Sequence, residues 1–284
     1  MTTLTPAGRT TPALRRAGAL LLPLLNLAVV LVALLGGWAL LLALTDAPDF
    51  TVRGPGEILD LLRRNAPIKT VDGEDAAVWS AVLPPLGQTL IDAGIGFAAG
   101  LLTAIGIATA TYLSRGVEAA TMPVAMVVRT VPLVALAPVI TLIFGNGFAT
   151  VAVMSGIVVL FPALITISFG LRSVSAQMQD VIAVYGGGTW DVLRRVAYPS
   201  ALPAIFAAIR ISVPGAITGA LIAEFYTTTD SVGKAVNQAL ALYLYDLVWS
   251  LLVVTTLASI LLYVLAQIVE RALLVRYGME KALS

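Results

Sequence analysis

Apolar residues fall in long blocks along this chain, near Ala17–Leu44, Gln88–Leu113, Met122–Phe144, Ala149–Phe169, Ala204–Phe225 and Asp246–Val269, with polar connections between them. Each block is close to the roughly 20 residues an α-helix needs to cross a bilayer. The pattern therefore predicts an all-α, polytopic membrane protein of about six transmembrane helices. Hydrophobic residues make up 59% of the 284 and charged ones 12%, too few to build a water-soluble shell.

The first block could be a signal peptide, but it is long for one and has no small-x-small cleavage site, so an uncleaved first span is expected. Arg9, Arg15 and Arg16 precede it and place the N-terminus in the cytoplasm. Between Asp46 and Leu86, acidic residues mix with Pro48, Pro55, Pro67, Pro84 and Pro85, which reads as an external loop. Within it, Pro55–Asn65 predicts a surface helix, with Ile58, Leu61 and Leu62 on one side and Glu57, Asp60 and Arg64 on the other. Arg115, Arg172, Arg194, Arg195, Arg271, Arg276 and Lys281 fall in connections on the inner side, so both termini are expected there. The resulting layout is a cytoplasmic segment 1–16, a first span 17–45, an external loop 46–87, a five-helix core 88–275 and a cytoplasmic tail 276–284.

The net charge of +1 names no partner. Cysteine and histidine are both absent, which rules out thiolate sites, Ser-His-Asp catalysis and histidine-based zinc hydrolysis. No G-x-x-x-x-G-K-[ST] motif occurs, so the chain is not expected to bind ATP through a P-loop or to be an enzyme by itself.

Within the blocks, Gly96 and Gly100 share one helix face, suited to close packing inside the chain or to a seam between two chains. The third block contains Arg129 and is punctuated by Pro123, Pro132 and Pro138. Arg129 is either a snorkelling residue or, with Pro132 and Pro138, part of a translocation path. Glu224 and Asp92 fall at the outer ends of their blocks, where each is either a solvated interfacial acid or part of a vestibule or gate. Asp246 marks an interfacial boundary.

The connection between the fourth and fifth blocks, residues 178–200, is too amphipathic for a linker. Two short helices are expected around a bend at Gly186, Gly187 and Gly188: Met178–Tyr185, then Thr189–Val196 with Thr189 as N-cap. The second would present Trp190, Leu193 and Val196 as an apolar face beside Arg194 and Arg195, a shape suited to docking into a partner's groove.

This segment resembles the cytoplasmic loop of permeases of bacterial ATP-binding-cassette importers. Asp180 stands at the Glu of their Glu-Ala-Ala motif, Gly186 at its glycine, and Val196 with Tyr198-Pro199 at the later Ile and Leu-Pro positions; Val181 and Ile182 replace the two alanines. Val131–Pro138, Phe144-Gly-Asn-Gly147, Leu202-Pro203, Ile209-Arg210 and Ala223-Glu224-Phe225 are similar to the branch that imports nitrate, sulfonates, taurine and thiamine-precursor pyrimidines, and the likeness runs from about Leu83 to the C-terminus. The resemblance implies a type I importer permease in the bacterial inner membrane. It implies a second permease chain, identical or paralogous, two cytoplasmic subunits that bind ATP and Mg, and an extracytoplasmic substrate-binding protein. No nucleic-acid partner is implied. Asp180, Gly186, Gly187, Trp190, Arg194, Arg195 and Pro199 would couple the chain to the ATPase. Against this stand an ion-coupled secondary transporter, which asks for carboxylates deep in the spans, and a membrane-embedded enzyme, which asks for a catalytic grouping the sequence does not display.

Overall fold

The computed structural model describes Val29, Val32, Ala33 and residues 35–44, 51–227, 230–277 and 279. The chain divides into two units, Met1–Arg64 and Asn65–Ser284. In the first, α1 (Leu35–Leu44) is a short apolar helix within the first block. Most of the expected first span, and segment 1–16, lie outside the described residues. Helix α2 (Pro55–Arg64) follows the sidedness of its sequence, with Ile58 and Leu62 buried and Glu57, Asp60 and Arg64 exposed. The Glu57 carboxylate accepts the Gly54 N–H at 3.2 Å and so satisfies a donor at the helix start.

The second unit opens with a small antiparallel hairpin, β1 (Pro67–Lys69) and β2 (Asp75–Ala77), in which Ile68 faces Ala76. Gly73 in the connecting turn has φ +82°, a left-handed backbone that glycine adopts without penalty. Helix α3 (Val78–Leu113) follows directly and spans 36 residues. It starts well before Gln88 and takes in Pro84 and Pro85, so these two prolines belong to the helix and not to the expected external loop. Those prolines withdraw hydrogen bonds from the carbonyls of Ser80 and Ala81, of which Ser80 is exposed and Ala81 half-buried, where the loss is tolerated.

The third block is not one straight helix. It is split into α4 (Arg115–Arg129) and α5 (Leu133–Phe144), bent by 106° at the break. Pro132 lacks an N–H and disfavours helical backbone at Val131, which stops α4 at Arg129. Helix α6 (Phe148–Arg172) is followed by α7 (Ala176–Val184), α8 (Thr189–Val192), a π-helical turn (Leu193–Ala197), α9 (Tyr198–Glu224), α10 (Val232–Ala241) and α11 (Tyr245–Arg276). Among the described residues four helices are long and apolar enough to cross a membrane, or five if the bent pair forms one span.

Helices α3, α6 and α9 pack against one another as the centre of this unit, with α11 on α9. Close approach of α3 to α6 requires the α3 glycines: a Cβ on Gly96 would sit 2.5 Å from the Ser155 Cβ, and one on Gly100 would sit 2.5 Å from the Gly156 carbonyl oxygen. The glycine face is thus spent inside the chain, and the inter-chain seam does not hold for these two residues. Two apolar clusters fill the bundle. One, around Leu164, Ile167, Leu171 and Leu193, lies at the end carrying α7 and α8; the other, around Val151, Met154, Ile217 and Ala220, lies toward the Glu224 end.

Candidate coupling segment and gate residues

Helix α7 ends in a tight reversal. The Gly186 N–H donates to the Ala183 carbonyl and the Gly187 N–H to the Ile182 carbonyl, each at 2.9 Å, the paired bonds of a helix stop with a left-handed residue past its end. Gly186 is that residue, with φ +77°. Gly187 is constrained by space instead, since a Cβ there would meet the Ile182 side chain at 2.5 Å. Gly188, not Thr189, is the N-cap of α8. It has no side chain to cap with, so Asp191 helps from within, its carboxylate accepting the Gly188 N–H at 3.3 Å.

The expected apolar face of Trp190, Leu193 and Val196 is divided. Leu193 is fully buried in the bundle core and Val196 half-buried, because α8 runs straight into α9 as one helix from Thr189 to Glu224. A separate second helix joined by a short connector to the fifth span is therefore not what forms. Trp190 points outward at 57% exposure, and the other exposed apolar side chains here are Val184, the last residue of α7, at 84% and Tyr185, its C-cap, at 87%. Asp180 is exposed on the same helix. Arg194 and Arg195 are exposed, Arg195 standing 3.6 Å from Asp191. The π-helical turn sits just ahead of Pro199, whose ring would crowd the carbonyl one turn back in a regular helix; widening the helix relieves that contact.

Of the path candidates, Arg129 ends α4 on an exposed position and Pro132 is the N-cap of α5. Pro138 lies inside α5, next to the buried Ala137. These three therefore mark the bend and its continuation, with Arg129 at the corner.

Glu224 and Asp92 are not solvated interfacial acids. Both are fully buried. The Glu224 carboxylate accepts the Thr89 hydroxyl at 2.9 Å and the Gly233 N–H at 2.9 Å, while the Thr89 oxygen in turn accepts the Val232 N–H at 3.0 Å. One carboxylate thus ties α3, α9 and α10 together. Gly233 is required at this contact, because a Cβ would lie 2.5 Å from the Glu224 Cβ. Asp92, one turn beyond Thr89 on α3, accepts the Gln88 amide at 2.8 Å. Glu224 is thus a buried clasp at the end of the bundle.

Two ionic contacts escaped the sequence reading. Arg210 on α9 meets Glu270 on α11 at 3.0 Å and lies 6.0 Å from the centre of the Tyr263 ring. Arg172 meets Glu118 at 2.7 Å and donates to the Thr111 carbonyl at 3.0 Å. A charged residue inside or beside an apolar block is the available signal for each, but its partner lies far along the chain. No group of three or more Asp, Glu, His or Cys side chains able to hold a metal occurs among the described residues.

Comparison with known proteins places the chain among transport permeases. The chain is 29% identical over 272 residues to a riboflavin transport system permease protein of Chloroflexus aurantiacus, covering 96% of this chain and 97% of that protein. It is 27% identical to a probable ABC transporter permease protein of Haemophilus influenzae, over 86% of this chain and 93% of the other. A formylaminopyrimidine transport permease protein of Halalkalibacterium halodurans is 28% identical over 52% of this chain and 59% of its own length. Residues 96–276, which contain the α7–α8 turn, the bend at Pro132 and Glu224, match the binding-protein-dependent transport system inner membrane components, and the chain belongs to that family.

Proposed function

We propose that this permease forms half of the solute path of an ATP-driven importer and takes its drive through α7 and Trp190. The observation that carries the reading is the exposed apolar group of Val184, Tyr185 and Trp190 at a turn whose geometry requires Gly186 and Gly187. Nothing among the described residues covers it, and a water-facing patch of this kind is suited to a partner's groove. In this reading Asp180, Arg194 and Arg195 flank the contact, and Pro199 sits where the docked segment becomes the α9 span.

Two permease chains, identical or paralogous, pair to serve two cytoplasmic ATPase subunits, since a nucleotide sandwich presents two docking clefts and each permease one docking turn. ATP and Mg belong to those subunits, and an extracytoplasmic binding protein delivers the cargo. The arginine bias supports an orientation with α7 and both termini in the cytoplasm and Glu224 at the outer face of the inner membrane. Arg129, Pro132 and Pro138 belong to the path, where a charged side chain at membrane depth faces water or protein. For cargo, the riboflavin permease that aligns over nearly the whole chain and the formylaminopyrimidine permease both favour a nitrogen heterocycle over nitrate or a sulfonate.

Proteoliposomes carrying permease, ATPase and binding protein test this directly. Loaded binding protein should stimulate ATP hydrolysis, and labelled riboflavin or formylaminopyrimidine should accumulate only with ATP, while taurine and nitrate should not. Uptake that persists without ATPase subunits would sink the reading in favour of an ion-coupled transporter.

A further inference from the structure

A cavity of 240 Å³ opens between α4 and α6, at the end of the bundle where α6 gives way to α7. Met122, Met126 and Phe169 form its apolar walls. Ser168 lines it too; its residue is only 4% exposed, and its hydroxyl has no hydrogen-bond partner. Buried hydroxyls are normally paired, so this one is available to a polar atom entering the cavity. At the polar rim stand Glu118 and Arg172, 2.7 Å apart.

The α4 face that borders this cavity is unsuited to lipid. Glu118, Met122, Met126 and Arg129 recur at helical spacing along one side of the helix. The glutamate and the arginine therefore bracket the two methionines at a separation of about 16 Å along the axis. Charged groups at both ends of a face, one of them at a bend within the apolar block, require protein or water opposite.

We infer that this cavity holds the transported solute before its release, and that it is built for a flat, uncharged molecule with a hydrogen-bonding edge. The inference rests on the permease reading and adds the site to it. The charge balance decides the class: Glu118 already neutralises Arg172, so an incoming anion would meet a carboxylate at the rim, whereas an uncharged edge meets both donors and acceptors. Arg172 uses one nitrogen, Nη2, for both Glu118 and the Thr111 carbonyl, which leaves the guanidinium other N–H groups to offer. The walls agree, because thioethers and a phenyl ring make favourable, adaptable contacts with a ring face. Arg172 closes α6 immediately ahead of α7, so a solute held here lies next to the segment that receives the ATPase stroke.

The test uses the full-length permease in lipid nanodiscs and lumichrome, an uncharged fluorescent three-ring heterocycle, as probe. Saturable binding is expected. Met126→Trp, at a residue 59% exposed and therefore tolerant of bulk, should fill the cavity and weaken binding at least about tenfold. Ser168→Ala should weaken it about fivefold, the equivalent of one hydrogen bond. Excess taurine or nitrate should leave the signal unchanged. Absence of saturable binding, equal binding by both variants, displacement by either anion, or displacement by phosphatidylglycerol, which would mark a lipid groove, each overturns the assignment. ATPase co-purification and ATP-driven uptake in the same preparations separate the two readings. If both persist while lumichrome binding fails one of these criteria, the site falls and the permease stands; if the wild-type chain recruits no ATPase, the permease reading falls and takes the site with it.

Discussion

The two ends of the helical bundle handle their chemistry in opposite ways. At the Glu224 end, charged and polar groups are drawn inside: a buried carboxylate is met by a hydroxyl from α3 and a backbone N–H from α10, and glycine admits the contact. At the α7–α8 end, apolar groups are pushed outside, with Val184, Tyr185 and Trp190 all more than half exposed. The first arrangement makes its contacts within one chain; the second leaves apolar side chains uncovered among the described residues. Under the proposed function, a buried polar contact suits an end that stays closed, and exposed apolar surface suits an end that meets a partner.

Glu224 provides the sharpest way to break the comparison. Glu224→Ala removes the acceptor for the Thr89 hydroxyl and the Gly233 N–H and leaves both donors buried. At roughly 1–3 kcal/mol per unsatisfied group, a loss of about 3 kcal/mol is expected, read from chemical unfolding in mixed micelles. Glu224→Gln keeps an acceptor oxygen for these donors and should recover most of it. ATPase co-purification should persist in both, since the clasp lies at the opposite end. Equal stability of the alanine variant and wild type would mean that α10 is not held by this residue.

The next effect runs the other way. Trp190→Asp should leave unfolding unchanged, because the indole is 57% exposed. It should weaken association with the ATPase subunit by roughly thirty-fold or more, the cost of about 2 kcal/mol typical of a lost aromatic anchor. Substituting Gly186 with a bulky residue should act in the same direction by straining a backbone at φ +77°. Retained association in both variants would leave the exposed α7 face without its assigned partner.

How far these ends were legible in the sequence follows from how local their causes are. The helical blocks could be read because membrane length and apolar content are properties of short windows. The Gly186 bend could be read because a left-handed helix stop is written in the residues that make it. Leu193 differs because its neighbours predict a free helix, while its burial goes with α8 being continuous with α9 through the π-helical turn. Asp92 falls near the start of its apolar block because Pro84 and Pro85 read as external loop, yet α3 begins before them and runs through them. Glu224 has its hydroxyl partner 135 residues away at Thr89, a separation that no window spans. Helix α10 was overlooked because its ten residues are too short to register as a span and too ordinary in composition to stand out as a motif.

The smallest effect tests whether the Glu224 end owes anything to its surface charges. Asp230 and Lys234 lie at the edge of that end, 2.7 Å apart, but the Asp230 side chain is 95% exposed. The ammonium beside it holds the Asp230 carboxyl below the usual carboxylate value, first through their hydrogen bond and then through charge. With the folded-state value depressed, any stabilisation is present above the unfolded value, near pH 4, and disappears as the pH falls through the folded one. Water and salt screen a pair this open, and its i, i+4 geometry orders two flexible side chains for little return. Asp230→Asn should therefore shift the melting temperature at neutral pH by no more than about 1 °C, a surface pair being worth little, and by nothing measurable at pH 3. A shift of several degrees at neutral pH that vanished on acidification would show that the surface pair holds α10, and the clasp would have to be reassigned outward from the buried carboxylate.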